Sequence, residues 1–144
     1  MNEQGFISQL RRNLVALISL TIAISSLGYN TWRNEHSEDN RNKRFAAFEI
    51  VKKLNQFQQL VFHRRYDPEL VIDGNARSGW VYVLTIKDMA KVLPYPMEEN
   101  AENLRVVWRD NWQNLQANDS AAENILAELD SMRDNTVQLL KALN

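Results

Sequence analysis

Residues 13–32 form an uninterrupted run of 20 uncharged positions, bounded by Arg11 and Arg12 on one side and Arg33 on the other. At about 1.5 Å of rise per residue, a helix of that length spans roughly 30 Å, the thickness of a bilayer's hydrocarbon core. The run therefore predicts a transmembrane helix. Ser19, Thr21, Ser25 and Ser26 interrupt its Leu, Ile and Val positions. Their hydroxyls can bond back to carbonyls of their own helix and are tolerated in lipid for that reason. Tyr29 and Trp32 close the run with the aromatic types that settle at the headgroup level. The competing reading is a secretory signal with Arg11 and Arg12 as its basic region and a small-residue cleavage site near residues 23–28, but the uncharged run is longer than a signal's apolar core of about 7–15 residues. A buried soluble helix is the third reading.

Downstream the pattern changes abruptly. Residues 33–44, RNEHSEDNRNKR, contain no apolar side chain and cannot enter a core. The i,i+3 and i,i+4 pairs Glu38 with Arg41 and Asp39 with Lys43 let the segment continue the membrane helix as a solvated stalk. Neither Gly nor Pro falls between Gly28 and Pro68, so one continuous helix over about residues 6–64 is expected.

Four amphipathic segments follow. Residues 45–62 place Ala47, Ile50, Leu54, Phe57 and Val61 at alternating three- and four-residue spacing, with Phe48, Val51 and Phe62 widening the face. Asp67-Pro68 ends this helix, since the residue before proline is driven from the helical region, and residues 68–79 read as a loop of turn formers. Residues 80–93 begin with the β-rich WVYVLTI, so a strand competes, yet Val83, Ile86, Ala90 and Leu93 keep helical spacing into KDMAKVL. Pro94-Tyr95-Pro96 closes that segment, and Pro96 sits where a first-turn proline starts the next helix. Residues 97–116 turn Met97, Ala101, Leu104, Trp108, Trp112 and Leu115 inward, with Glu98, Glu99 and Glu102 complementing the helix dipole. After Asn118-Asp119-Ser120, the pair Ser120 and Glu123 reads as a capping box for a last helix whose seam is Ala122, Ile125, Leu129, Met132, Thr136, Leu139 and Leu143.

The predicted fold is all-α. A tail (1–12), a transmembrane helix (13–32) and a polar helical stalk (33–44) lead into an antiparallel four-helix bundle (45–144), because short connections between helices of this length favour antiparallel neighbours. The chain has 17 Lys and Arg and 18 Asp and Glu; only Arg11, Arg12 and Glu3 precede residue 30, so the remainder carries 15 against 17. Such a near-neutral balance gives no sign of nucleic-acid binding, which leaves a basic face or stripe. Without cysteine there are no disulfides, thiolate nucleophiles or thiolate metal sites. Orientation rests on two opposed arguments. Lys and Arg counts favour the C-terminal side inside, with Arg33, Arg41, Lys43 and Arg44 following the span, whereas a short arginine-bearing tail before a first span usually stays in the cytoplasm. The second argument is preferred and places the C-terminal part outside, in the periplasm if the membrane is a bacterial inner membrane.

Candidate chemistry is sparse. His36 and His63 are far apart, and neither has the HxxxH or ExxH spacing of a helical metal site. His63, Arg64 and Arg65 form a cationic last turn, read first as helix capping and second, with Arg77, as an end that binds an anion or a partner. Trp80, Trp108 and Trp112 read as core rather than as a ligand box, and Arg105 and Arg109 as a solvated face. Neither a Ser/His/Asp order nor a glycine-rich phosphate loop is present, and Glu128 with Asp130 means little without a pocket. No enzyme, cofactor or metal is therefore expected. Within the span, Ala16, Ser19, Ala23 and Ser26 fall on one side at 3,4,3 spacing, beside the larger Leu17, Leu20, Ile24 and Leu27. Such a stripe lets helices approach closely in lipid.

The phrases LGYNTWRNE and NRNKRFAAFE, with an apolar N-terminal segment and a helical remainder, resemble small bacterial single-pass membrane proteins with a helical C-terminal domain, best over residues 12–66. That resemblance implies an anchor and a helical domain but no activity. The expected role is an interaction or sensory module acting through an unidentified protein partner, with a structural subunit of a membrane complex, self-associating or paired through its span, as the rival.

Overall fold

A computed structural model describes residues 3–66 and 76–143, and every regular element among them is helical: α1 (Glu3–Tyr66), α2 (Ala76–Ala90), α3 (Met97–Asn111), a 3-10 turn (Trp112–Asn114) and α4 (Asp119–Ala142). The chain divides into two units, Met1–Asn40 and Arg41–Asn144.

In the first unit α1 is helical from Glu3 onward, and the uncharged residues 13–32 are all exposed. This helix is long and apolar enough to cross a membrane, with a stretch reaching a mean hydropathy of 1.5. Thr21 Oγ1 donates to the Leu17 carbonyl at 2.9 Å, the back-bond that makes a hydroxyl compatible with an apolar surrounding. One turn apart, Tyr29, Trp32 and His36 form a ladder of rings, with centroids 6.1 Å and 6.0 Å apart.

The second unit has its own core. Ala47, Ile50, Leu54, Phe57 and Val61 of α1, Val83, Ile86 and Ala90 of α2, Leu104 and Trp108 of α3, and Ile125, Leu129 and Met132 of α4 are fully buried in one cluster. These are the inward positions that the three- and four-residue spacing selects. Trp108 is the largest of them: Phe57 meets its ring edge-on at 4.9 Å, Trp112 lies at 6.5 Å, and Gly79 presses against it so closely that a Cβ there would overlap the indole. Polar contacts tie the helices at their rims. Lys87 of α2 donates to Glu102 of α3 at 2.6 Å, Asn124 of α4 to Asn111 of α3 at 3.4 Å, and Arg133 of α4 to Asn55 and Gln58 of α1 at 3.1 and 2.6 Å.

Residues 80–86 are helical, as the spacing of Val83 and Ile86 predicts, and the packing of those two residues overrides the β propensity of the stretch. Several other local expectations are corrected. The expected loop over 68–79 divides: residues 67–75 lie outside the described residues, while 76–79 are the first turn of α2, where Gly79 serves contact with Trp108 instead of a turn. α2 stops at Ala90, short of Leu93, and residues 91–94 turn through Val92 and Leu93 N–H bonds to the Met89 and Ala90 carbonyls. Pro96 flanks α3 as its N-cap, one position before the first helical residue, and α3 ends at Asn111, giving way to the 3-10 turn instead of running to 116. The capping box does not form. Asn118 caps α4, its side chain accepting from the Ser120 N–H at 3.0 Å, which places Ser120 inside the first turn. Phe48 and Phe62, assigned to the inner face, are exposed, because the buried arc of α1 is narrower than the widened face allowed. Trp112, Leu139 and Leu143 are half-buried.

Candidate functional site

The cationic end of α1 resolves into distinct surroundings. Arg65 reaches across to the chain around the start of α4: its Nε donates to Asp119 Oδ1 at 2.8 Å, Nη1 to the Gln116 carbonyl at 2.7 Å, and Nη2 completes the pair with Asp119. Its guanidinium is thus engaged on two sides and also lies 5.9 Å from the Tyr66 ring centre. A planar fork held by a carboxylate and a carbonyl fixes where α1 ends relative to the α3–α4 connection. His63 and Arg64 are half-exposed on the same turn, and Arg77 is exposed in the first turn of α2. His63, Arg64 and Arg65 therefore share the last turn of α1 and Arg77 stands in the first turn of α2, with Arg65 already committed to an internal anion.

Arg105 and Arg109 likewise hold neighbouring carboxylates. Arg105 donates to Glu102 at 2.9 Å through Nε, and Arg109 to Asp110 at 2.7 Å. Glu102 takes bonds from Arg105 and from Lys87, and these two cations hold its carboxyl down at about 2. Asp110 is lowered by Arg109 and Asp88 by Lys91, in surface pairs of the same kind. Asp130 bonds Arg133 at 2.8 Å, and burial pushes the nearby Glu128 carboxyl up. Glu128 and Asp130 project differently from α4, one half-buried and one exposed, so they do not form a working pair. Among the described residues no three His, Asp or Glu side chains are grouped as metal ligands would be.

Trp108 is fully buried, while Trp80 and Trp112 are half-buried against the same core. Their arrangement is that of packing around one indole. The span residues Ala16, Ser19, Ala23 and Ser26 are all exposed on α1.

The surface that sequence reasoning missed lies on the second unit's part of α1. Between residues 45 and 66 the exposed positions are Phe45, Phe48, Lys52, Asn55, Gln59, Phe62 and Tyr66. The signal is present in the 3,4 spacing of these positions, but a widened core face takes Phe48 and Phe62 inward. Compared with known proteins, the chain matches no family model, no curated protein and no solved structure.

Proposed function

We propose that this chain is a membrane-anchored interaction or sensory module, an antiparallel four-helix bundle on a polar stalk that acts through a partner protein at a bacterial inner membrane. The observation that carries the reading is that one helix, α1, contains both the uncharged residues 13–32 and a full row of core side chains of the second unit. An amphipathic bundle helix has no need of 20 uncharged, exposed residues upstream of it unless those residues meet lipid. The antiparallel arrangement is supported by the order of contacts, since Arg65 late in α1 meets Asp119 at the start of α4 while Arg133, further along α4, meets Asn55 and Gln58. Aromatic side chains at 29 and 32 support an interface at that end of the span, and the arginine-bearing tail favours a cytoplasmic N-terminus with the bundle in the periplasm. The role is one of binding, with His63 and Arg64 on the last turn of α1 as polar groups facing a partner's acidic chemistry.

A second reading, a structural subunit whose span makes the main contacts, is favoured by the exposed stripe Ala16, Ser19, Ala23 and Ser26. One experiment separates the two. Membranes carrying the full chain are washed with alkaline carbonate, and then partners are recovered from detergent extracts. Retention in the pellet is expected, and release of intact chain overturns the anchor. If Ser19→Leu with Ala23→Leu abolishes partner recovery, the span is the contact; if Arg64→Glu does so, the bundle end is.

A further inference from the structure

Every exposed residue of α1 from 45 to 66 lies in one file: 45, 48, 52, 55, 59, 62 and 66, a strict alternation of three and four. That alternation is the 3.5-residue repeat of a coiled-coil seam. The outward row of a bundle helix is normally polar throughout. Here four of the seven positions are aromatic, with Phe45 67%, Phe48 58%, Phe62 39% and Tyr66 62% exposed. We propose that this row is the seam of a parallel dimer between two copies of the chain, a proposal that rests on the membrane-anchor reading.

Three features commit the row to a second copy. Anchored copies share one plane and one orientation, and a parallel dimer with its two-fold axis along the seam sets each residue of the row against its own counterpart. The row suits that operation: aromatic pairs meet at both ends, and Asn55, at a d-type position between Phe48 and Phe62, meets its own counterpart. Asn55 Oδ1 already accepts from Arg133 at 3.1 Å, which leaves its amide donors for the partner, and Lys52 is partnered by Glu49 at 3.3 Å, which tempers charge in the middle of the seam. In area, the exposed parts of four rings amount to on the order of 400 Å² per copy, which with their neighbours approaches the ~1,000 Å² total of a specific interface. Without the anchor an antiparallel pairing would also match aromatic ends to each other. The shared membrane orientation selects the parallel one.

The absence of native cysteine makes the test direct. Full-length Phe48→Cys, Tyr66→Cys and, as a control on the exposed face of α4, Asp130→Cys are oxidised in native membranes and resolved without reductant. At least fivefold more disulfide dimer is expected for Phe48→Cys and Tyr66→Cys than for Asp130→Cys, with loss of the Tyr66→Cys dimer when Phe48→Glu and Phe62→Glu are added. Equal yields at all three positions overturn the seam. Preferential crosslinking of Phe48→Cys to a coexpressed Phe62→Cys chain overturns the parallel arrangement. Carbonate extraction of the same membranes separates the two readings: a retained chain without seam dimers removes the dimer and leaves the anchor, whereas a released chain that still crosslinks removes the anchor and leaves the seam.

Discussion

Gly79 and Trp108 show how one position can be set by its neighbour. In α2 the glycine costs helix stability relative to alanine by about 1 kcal/mol, so local propensity alone favours replacing it. The buried indole of Trp108 occupies the place where a Cβ would sit. Overpacking a core typically costs about 1–3 kcal/mol, and at a ring wedged against Phe57 and Trp112 it outweighs the propensity gain. Gly79→Ala is expected to lower thermal stability, and combining it with Trp108→Phe should cost less than the two single losses added together. Simple additivity in urea melts would show that the contact is not the cause. Glu102 gives a pH-dependent counterpart. Its carboxyl, bonded by Arg105 and then Lys87, is held at about 2 against an ordinary 4.5. The unfolded chain takes up a proton there before the folded one does, so stability from this group is complete above about pH 4.5 and is lost as pH falls toward 2. Glu102→Gln should therefore flatten the acid limb of the stability profile in that window, and salt should shrink the difference because the cluster is at the surface. A wild-type advantage that grew on acidification would contradict the sign.

At the scale of elements, α4 shows what a sequence pattern resolves and what it does not. Its seam from Ala122 to Thr136 is buried as the 3,4 rhythm requires, because a helix in contact with two neighbours buries one stripe and the stripe's period is fixed by the backbone. Leu129→Ala in the middle of that stripe is expected to cost about 2–5 kcal/mol by leaving a cavity among fully buried neighbours, measured as a shift in urea midpoint at constant slope. An unchanged midpoint would remove Leu129 from the core. The helix's start was less legible. Asn118, Asp119 and Ser120 are all good caps, and the choice of Asn118 depends on an extended backbone there and on Arg65 drawing Asp119 toward α1, a contact between residues 54 positions apart. The start of α2 was obscured for a similar reason, since a Gly that meets Trp108 looks in sequence like a Gly that makes a turn. Phe48 and Phe62 were misassigned because hydrophobicity reports what a side chain prefers and not whether its own chain supplies the cover. As for the site, its residues were legible one by one, but Arg65's engagement by Asp119 and Gln116 was not.

At the scale of the whole molecule, the two units carry different dependencies on their surroundings. The core of the second unit is closed among its own residues, drawing on α1 only from Ala46 to Val61. Among the described residues the core cluster is built from Ala46 onward, so its stability should survive removal of residues 1–40. In the first unit, by contrast, the large apolar side chains from Leu14 to Trp32 are more than half exposed. The expected outcome is that residues 34–144 expressed alone are soluble, strongly helical by circular dichroism and cooperative in melting, with the Leu129→Ala and Gly79→Ala losses preserved at the same size as in the full chain. Full-length protein should need detergent or lipid, and the shorter chain should not. If the shorter chain were instead non-cooperative, or if its mutational losses disappeared, then α1 upstream of residue 41 would be part of the folding unit and the apolar segment would be covered by the chain itself. The same comparison bears on association. With both species held at equal concentration, only the anchored one gains from sharing a plane and an orientation with its copies, so crosslinking through Phe48→Cys should fall steeply in the shorter chain even though its fold is unchanged.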